Sequence, residues 1–541
     1  MTVPAPHETY DAVVIGAGPN GLVAANRLAD AGWSVVVLEG RPHIGGAVHS
    51  DRSVDPAFEH DMFSSFYPLG AASPALRSLD LEGHGLRWRH APAVLGHPRP
   101  DGTWATLHRD REVTASLLDG LCPGDGEAWL ALCERWDRIG DALVEALLTP
   151  FPPARATAKG LLRLRSAGGM DLVRMLLTPA LDDALWPFRG EAPRLLVAGN
   201  AAHSDIPLDA PGSGLMGLLM TLVGQVHGFP VPEGGSSRLV EALARRLDSR
   251  GGEVRCSAPV DRIEVEGGRA VAVRYGGGSR VVAGRAVVGA VVAPILYERL
   301  LDPADLPDRV RRGMRRFQLD PSTVKVDWAL DGPVPWQVPA PYAPGTVHVG
   351  DSLSQLSESV GQIWAGYVPA RPFLLMGQMT TTDPTRSPSG TEALWAYTHV
   401  PQQVRGDRGD EGITGSWDAS ERERFADRMQ ARIEERAPGF AGRIRARRVL
   451  GPRELEAANP NLIGGAVNGG TTQLHQELIF RPVPGWGRAE TGIRGLYLGS
   501  ASAHPGGAVH GAPGMNAARA AIAHERFRAL KLGRRSRPGS R

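Results

Sequence analysis

The chain has 541 residues, of which 42% are hydrophobic and 22% charged, which excludes a disordered or fibrous protein and predicts two domains. Its 60 Lys and Arg residues nearly balance 58 Asp and Glu residues, but seven cations and one anion lie from Glu525 onward, so the rest of the chain is net negative. An acidic body with a basic end argues against nucleic-acid binding, which needs a cationic face.

The three cysteines, Cys122, Cys133 and Cys256, form no C-x-x-C pair. This spacing excludes a dithiol redox centre and favours a reducing, cytoplasmic location. The first residues lack the apolar core of a signal peptide, and no stretch is long and apolar enough to predict a membrane span. The histidines lack the spacing to carboxylates that is typical of zinc sites, so no metal site is predicted.

The first predicted elements are a strand at residues 11–15, a helix through Ala29, and a second strand at residues 33–38. The turn between the first strand and the helix reads Gly16-Ala17-Gly18-Pro19-Asn20-Gly21. This spacing is typical of a dinucleotide-binding βαβ unit, in which the glycines permit a tight turn, a close approach of pyrophosphate and close helix packing. The helix N-terminus offers N–H groups to phosphates, and Glu39 follows the second strand, where a carboxylate can bind a ribose.

Two further αβ blocks follow along the chain. The second contains a helix at 239–247 and strands at 254–256, 262–265, 270–275 and 285–290, and the third contains a strand at 495–499 and a helix at about 516–529. No block can close a sheet alone, which predicts one Rossmann-like α/β domain interrupted by an α+β domain. The predicted boundaries are 8–75, 228–298 and 485–530 for the dinucleotide domain, 76–227 and 299–484 for the substrate-binding domain, and 531–541 for a disordered basic tail.

These blocks, in this order, resemble the superfamily of flavin-containing amine oxidases and phytoene desaturases, and especially its phytoene-dehydrogenase-like branch. The matching residues are 36–39, Arg41, Gly45 and Gly46, 232–235, 258–260, 495–499 and 504–507. The resemblance implies an FAD-dependent oxidoreductase with non-covalent FAD bound to the Rossmann-like domain. Two departures are Ala47, where amine oxidases have Arg, and His60 before Asp61, where desaturases have Phe.

The same resemblance implies how FAD would lie. Its pyrophosphate would contact the turn at 16–21, its adenosine ribose Glu39 and its adenine the backbone of Val260. N–H groups of Ala508, Val509 and His510 would face flavin N1 and O2, where they stabilise negative charge. The predicted cofactor-binding residues are Gly16, Gly18, Pro19, Asn20, Gly21, Glu39, Gly40, Arg41, Gly45, Gly46, Ala47, Val260, Gly499, Ser500, Gly507, Ala508, Val509 and His510.

Lysine is scarce, which draws attention to Lys325, one of only three lysines among the 60 cations. It lies in an alternating strand pattern at 324–330, and the resemblance implies a lysine that meets flavin N5 through a water molecule. Burial lowers the pKa of an ammonium more readily than that of a guanidinium. The alternative is a lysine at a half-buried strand with Asp327, on the same face, as its ion partner.

Histidines are the other candidate catalytic residues. His504 and His510 flank a glycine-rich turn, and His60 lies near the expected flavin; each can act as an acid or base, or make only local structural contacts. Tyr397 and His399, on an alternating strand at 394–400, are predicted to line a substrate cavity beside Trp328, with core packing as the alternative.

The predicted reaction is hydride transfer from a C–H bond of a largely apolar substrate to flavin N5, with formation of a C=C bond. Oxidation of an amine at a C–N bond and a redox-silent flavoprotein scaffold are the two alternatives. Only one dinucleotide motif is present, so oxygen or a quinone is the expected electron acceptor. Residues 154–177 combine basic and apolar side chains, which predicts either peripheral membrane contact or a solvated lid helix.

Overall fold

The computed structural model describes residues 8–166, 168–182 and 186–535. Its strands are β1 Glu8–Ile15, β2 Val35–Leu38, β3 Ser50–Asp51, β4 His60–Asp61, β5 Trp88–Arg89, β6 Ala93–Pro98, β7 Trp104–Leu107, β8 Val231–Pro232, β9 Glu253–Arg255, β10 Val260–Glu266, β11 Arg269–Tyr275, β12 Ser279–Gly289, β13 Ser322–Leu330, β14 Pro344–Val349, β15 Tyr367–Val368, β16 Leu374–Gln378, β17 Glu392–Val400, β18 Gly406–Asp407, β19 Ile444–Leu450 and β20 Leu496–Leu498.

The helices connect these strands and cover the sheets. They are α1 Pro19–Ala29, α2 Pro68–Ala72, α3 Pro74–Arg77, α4 Arg111–Leu121, α5 Asp125–Leu148, α6 Ala154–Leu164, α7 Gly169–Leu177, α8 Glu191–Ala201, α9 Ser213–His227, α10 Ser237–Asp248, α11 Asp308–Met314, α12 Leu353–Trp364, α13 Met379–Thr382, α14 Ala419–Glu434, α15 Pro452–Ala458 and α16 Ala512–Arg535.

Five parallel strands form the centre of the first sheet, in the order β20-β12-β1-β2-β9. The antiparallel strands β10 and β11 extend this sheet beside the first half of β12. Both faces are buried: Val14 packs towards α1, α10 and α16, whereas Val13 packs towards residues 258–301. Burial on both faces explains the nearly continuous apolar sequence of β1 and β2. The carboxyl ends of the parallel strands meet at one edge.

The second sheet has seven strands in the order β19-β13-β17-β16-β14-β6-β7. All its neighbours are antiparallel except β14 and β6. Every residue of β13 is buried. Its even-numbered residues, such as Val326 and Trp328, pack against Phe425 and Phe440, whereas Lys325 and Asp327 lie on the opposite face because side chains alternate along a strand.

The strands of the first sheet all lie within the segments that the sequence assigns to the dinucleotide domain. Those of the second sheet all lie within the segments assigned to the substrate-binding domain. We retain this division of the chain as a proposal.

Two predictions about basic segments need correction. The last helix begins at Ala512 and continues to Arg535, so residues 531–535 are helical and not disordered, while residues 536–541 lie outside the described ranges. Residues 154–177 form α6 and α7, separated by a left-handed Gly168 with a φ of 121°, and not one helix. Leu162 and Met170 expose 86% and 73% of their surface, and membrane contact stays a prediction. No described helix is long and apolar enough to cross a membrane.

A buried guanidinium, Arg386, joins segments from distant parts of the chain. It donates hydrogen bonds to Asp61 Oδ1 at 3.0 Å, to Asp383 Oδ2 at 3.1 Å and to the carbonyl of Pro232 at 3.3 Å. Arg386, Asp61 and Asp383 are all inaccessible to solvent. Burial raises the pKa of Asp61, but Arg386 and the other donors outweigh it and hold that pKa below its usual value. Asp61 is therefore charged, and Arg386 is the cation that both side chains contact.

We expect Arg386→Met to lower the free energy of unfolding by about 3–5 kcal/mol, because it leaves two buried carboxylates without their cation. Urea denaturation of wild type and variant measures the change. The control is Arg274→Met, which removes a half-exposed ion pair with Glu264 and is expected to cost less than about 1 kcal/mol. Equal losses in the two variants would contradict a supporting role for Arg386.

Candidate active site

A cavity of about 430 Å³ lies at the carboxyl edge of the first sheet. The loops after β1, β2, β12 and β20 bring Gly16, Glu39, Ala290 and Ser500 to its wall. Ligands of open parallel sheets bind at this edge. The predicted cofactor residues that line this nucleotide cavity are Gly16, Gly18, Pro19, Asn20, Gly21, Glu39, Gly40, Arg41, Gly46, Ala47, Val260 and Ser500.

The start of α1 fits a pyrophosphate. Gly18 is the N-cap of this helix and provides no side-chain hydrogen bond, so the first N–H groups stay available to an anion. A Cβ atom on Gly18 would meet no protein atom closer than 3.9 Å, so the space beside it is open. By contrast, a Cβ atom on Gly21 would lie 2.0 Å from the carbonyl oxygen of Gly16. Gly18 thus leaves room for a ligand, whereas Gly21 leaves room for the protein backbone.

Glu39 is fixed by the backbone around it. Its Oε2 accepts a hydrogen bond from the N–H of Ala17 at 2.7 Å, and its Oε1 accepts one from the N–H of Arg41 at 2.9 Å. Each carboxylate oxygen keeps a second lone-pair direction. Glu39 therefore presents a rigid acceptor to the nucleotide cavity, as a ribose hydroxyl requires.

Gly45 and Gly499 do not line either cavity, contrary to the predicted cofactor contact. Gly45 has a φ of 128°, and a Cβ atom there would lie 2.3 Å from the carbonyl oxygen of Val48. A Cβ atom on Gly499 would lie 2.9 Å from the side chain of Val288. Both glycines are needed for backbone packing around the nucleotide cavity.

A second cavity of about 360 Å³ adjoins the first. The two share Pro19, Asn20, Ala47, Leu462, Val467 and Ala501. The predicted flavin-facing residues Gly507, Ala508 and Val509 line only this second cavity, which we call the substrate cavity. The turn after β20 thus reaches the place where the ring end of a dinucleotide would meet a substrate.

Lys325 and Tyr397 both line the substrate cavity and are direct neighbours on the paired strands β13 and β17. Lys325 is 3% exposed, and its ammonium donates to the carbonyl of Asp61 at 2.9 Å and pairs with Asp327. Asp327 in turn accepts two hydrogen bonds from Arg448, at 2.8 and 3.0 Å. Burial lowers the pKa of Lys325, and Asp327 opposes that change. Asp327, the ion partner expected under the alternative interpretation, is present, and Lys325 nevertheless lines the substrate cavity.

Trp328 does not line the substrate cavity, so that prediction is wrong. It lies three residues from Lys325, which places it on the opposite face of β13, where its ring packs edge-on against Phe440 at 5.6 Å. His399 lies on the same face as Tyr397 but behind the wall, where its Nδ1 is 3.3 Å from the hydroxyl of Thr323. Thr323, and not His399, reaches the cavity.

The three predicted catalytic histidines are also absent from both cavity walls. The Nε2 atoms of His60 and His504 bond the carbonyls of Trp328 and Thr149, at 3.1 and 2.9 Å. His510 donates from Nε2 to the carbonyl of Gly507 at 2.9 Å, while its Nδ1 accepts the N–H of Ala512 at 3.1 Å. Burial lowers the pKa of all three, that of His510 to about 4. These imidazoles hold backbone in place, which corrects the predicted acid or base roles.

The sequence interpretation missed most of the substrate cavity wall, which comes from α2, α9 and the segment at 455–472. The missed lining residues are Val48, Phe63, Ser64, Phe66, Tyr67, Pro68, Leu69, Gly70, His203, Ser204, Met216, Met220, Thr323, Leu455, Leu462, Val467, Asn468, Thr472 and Ala501. One signal is the paired glycines in the loop that follows α15, Gly464 with Gly465 and Gly469 with Gly470, all with positive φ. The helices carry no comparable local signal.

Two buried groups shape this loop. The Asp320 carboxylate accepts N–H groups of Val467, Asn468 and Gly470 at 2.7, 2.8 and 3.0 Å. The fully buried Arg481 donates to the carbonyls of Asn468 and Ala501, at 3.0 and 2.8 Å. The wall of the substrate cavity is therefore tied to the turn after β20.

A family comparison supports this assignment. Residues 20–398 match the model of the family described as flavin containing amine oxidoreductase. The chain belongs to this family. As an amine oxidoreductase family member with desaturase and oxidase relatives, it is an FAD-dependent oxidoreductase. FAD is the dinucleotide that we assign to this site. Its binding fits the glycine turn and Glu39 of the nucleotide cavity and the substrate cavity beside them.

Relatives match this family member over nearly its whole length. The mouse protein named pyridine nucleotide-disulfide oxidoreductase domain-containing protein 2 is 28% identical, over 96% of this chain and 94% of the relative. A lycopene-forming phytoene desaturase from a Paracoccus species is 25% identical, over 94% and 96%. The crystal structure of cyclohexylamine oxidase from Brevibacterium oxydans has a TM-score of 0.57 at 17% identity, over 96% and 98%, and shows the shared fold.

We expect Gly18→Val to abolish FAD binding while the protein stays folded, because the added side chain fills space at the start of α1 where its Cβ atom makes only ordinary van der Waals contact, at 3.9 Å or more. The flavin absorbance of the purified variant and its circular dichroism measure both effects. Gly120→Val is the matched control, since a Cβ atom there meets nothing within 4 Å and the residue lies in α4, away from both cavities. A yellow Gly18→Val protein with full flavin content would contradict the assignment.

Proposed function

We propose that this oxidoreductase removes a hydride from a C–H bond of a largely apolar, uncharged substrate and forms a C=C bond. FAD, when bound, supplies the hydride acceptor. The observation that carries the proposal is the composition of the substrate cavity. Among the described residues that line it there is no carboxylate, and Lys325 is the one permanently basic side chain. Its remaining wall is dominated by Phe63, Phe66, Leu69, Met216, Met220, Leu455, Leu462 and Val467.

This wall favours a hydrocarbon over an amine. An alkylammonium that enters the cavity loses its hydration, which is costly without a carboxylate to pair with it. Lys325 adds repulsion, because its ammonium faces the same space. Ala47, at the junction of the two cavities, stands where amine oxidases have Arg. An apolar chain loses nothing on desolvation and gains about 25 cal/mol for each Å² of apolar surface buried.

The Paracoccus relative, which is named for desaturation of phytoene, supports the same reaction class. The likeness to cyclohexylamine oxidase concerns the fold and carries no preference for amines.

Lys325 is the residue that we assign to the chemistry. An ammonium has three N–H donors, and two of them are used by the Asp61 carbonyl and Asp327. The third is free to hold a water molecule at the cavity wall. When the substrate loses a hydride from one carbon, the neighbouring carbon loses a proton, which passes through this water to the solvent. Oxygen or a quinone would then take the two electrons from the reduced enzyme.

Anaerobic reduction of the bound flavin tests the reaction class. The holoenzyme is mixed without oxygen with limonene, phytoene or cyclohexylamine, and loss of the visible flavin absorbance is followed. We expect a hydrocarbon to bleach the flavin and to yield a product lighter by two hydrogens. Bleaching by the amine alone would favour C–N oxidation. A flavin that none of these probes reduces would favour the redox-silent scaffold.

We expect Lys325→Met to keep FAD but to slow flavin reduction by about 10²-fold or more, because a positioned donor or proton-transfer partner is lost. Asp327 keeps both hydrogen bonds from Arg448, so the strand stays supported. Stopped-flow reduction at saturating substrate measures the rate. The control is Thr106→Val, on β7 and away from both cavity walls. A wild-type rate in the Lys325 variant would exclude the assigned role.

A further inference from the structure

Two imidazoles meet at the wall of the substrate cavity. His203 follows α8 and lines the cavity, whereas His348 lies on β14 and is fully buried. Their Nε2 atoms are 2.7 Å apart, which is a hydrogen-bond distance. A Cβ atom on Gly199 would lie 2.4 Å from His348 Nδ1, so α8 carries a glycine where the His348 ring needs space. The pair is thus built into the packing of the wall.

Both rings are neutral at physiological pH. Burial lowers the pKa of His203 to about 3 and that of His348 far below its usual value. The neighbouring His97 and His399 are buried and have lowered pKa values as well. A neutral imidazole has one N–H and one lone pair. In the contact between the two Nε2 atoms, one ring therefore donates and the other accepts.

The surroundings decide which ring donates. His348 Nδ1 is buried without a hydrogen-bond partner. A buried N–H without a partner is rarer and costlier than a buried lone pair, so His348 carries its proton on Nε2 and donates it to His203. His203 then carries its own proton on Nδ1. No hydrogen bond from the described part of the chain reaches that Nδ1, and the ring faces the cavity.

We propose that His203, held in this tautomer by His348, donates a hydrogen bond to a single uncharged oxygen of the substrate, such as a carbonyl or hydroxyl oxygen. The hydroxyl groups of Ser204 and Thr472, which also line the cavity, are already engaged, because Ser204 donates to the carbonyl of Ala201 and Thr472 donates to Asp205. Neither imidazole carries charge, so the histidine pair offers a carboxylate no counterion. The substrate class is then an apolar chain with one neutral oxygen.

This inference rests on the proposed function for the identity of the cavity, but its test needs no turnover. Methyl decyl ketone and dodecane have the same chain length and differ in one carbonyl. Their dissociation constants for the oxidised holoenzyme are measured from the perturbation of the flavin spectrum. We expect the preference for ketone over alkane to fall roughly three- to tenfold in His203→Phe, as one hydrogen bond is lost. His348→Phe is expected to weaken the preference less, because it leaves the His203 donor in place and removes only the hydrogen bond that fixes the His203 tautomer.

Met216→Leu is the matched control, since it changes an apolar side chain of the same wall without removing a donor. An unchanged preference in His203→Phe, or an equal fall in the control, would overturn the inference. If the preference falls as expected but no hydrocarbon or ketone ever reduces the flavin, the inference stands and the proposed function fails.

Nitrogen NMR of the holoenzyme with isotope-labelled histidine provides a second test. The His203 and His348 signals are assigned by their loss in the two Phe variants. We expect neutral rings with the proton on Nδ1 in His203 and on Nε2 in His348, and a shift of the His203 Nδ1 signal when methyl decyl ketone is added. The opposite pair of tautomers, or a cationic ring, would overturn the inference even if both variants bind ligands poorly.

Discussion

The close backbone approach at the start of α1 is the constraint on which the rest of the site depends. A Cβ atom on Gly21 would lie 2.0 Å from the Gly16 carbonyl oxygen, and one on Gly514 would lie 1.8 Å from the Asn20 carbonyl oxygen. The first motif of the chain is therefore packed against β1 on one side and against α16 on the other. This contact brings the turn at 507–509 beside Pro19 and Asn20, so that one continuous space serves both cofactor and substrate.

A second constraint is the buried charge beneath the substrate cavity. Lys325, Arg448 and Arg386 form ion pairs with Asp327, Asp51, Asp61 and Asp383; the side chains of Arg448 and Asp51 keep 14% and 20% exposure, and the others almost none. Desolvated ions are stable only when they are paired and hydrogen-bonded, so each carboxylate fixes its cation in one position. The arginines, with planar multidentate donors, serve to join strands. Lys325 has fewer donors, and two of them are used by the Asp61 carbonyl and Asp327, so under the proposed function the third serves the substrate cavity.

The sequence predicted the parts of the site that depend on local backbone geometry and failed where the placement depends on packing between distant segments. The spacing of the turn at 16–21 and of Glu39 was enough to predict their positions, and both line the nucleotide cavity. Trp328 was misplaced because its distance of three residues from Lys325 reverses its face on a strand. His60, His504 and His510 were near the right loops, but each imidazole turns to a backbone carbonyl that the sequence cannot identify. His203 and the methionines of α9 reach the cavity only through the crossing of α8 and α9.

The nucleotide cavity and the substrate cavity are built from different kinds of structure. The nucleotide cavity uses backbone N–H groups, glycines and one carboxylate, which bind phosphate and ribose whatever the substrate. The substrate cavity is assembled from separate segments, and its chemistry is set by single side chains at its ends. In this chain, no described residue that lines the substrate cavity provides a carboxylate, Ala47 lies where the two cavities meet, and His203 lines the wall as a neutral imidazole. Under the proposed function, such a wall disfavours a charged substrate and favours an apolar chain, because an unpaired charge is costly to desolvate.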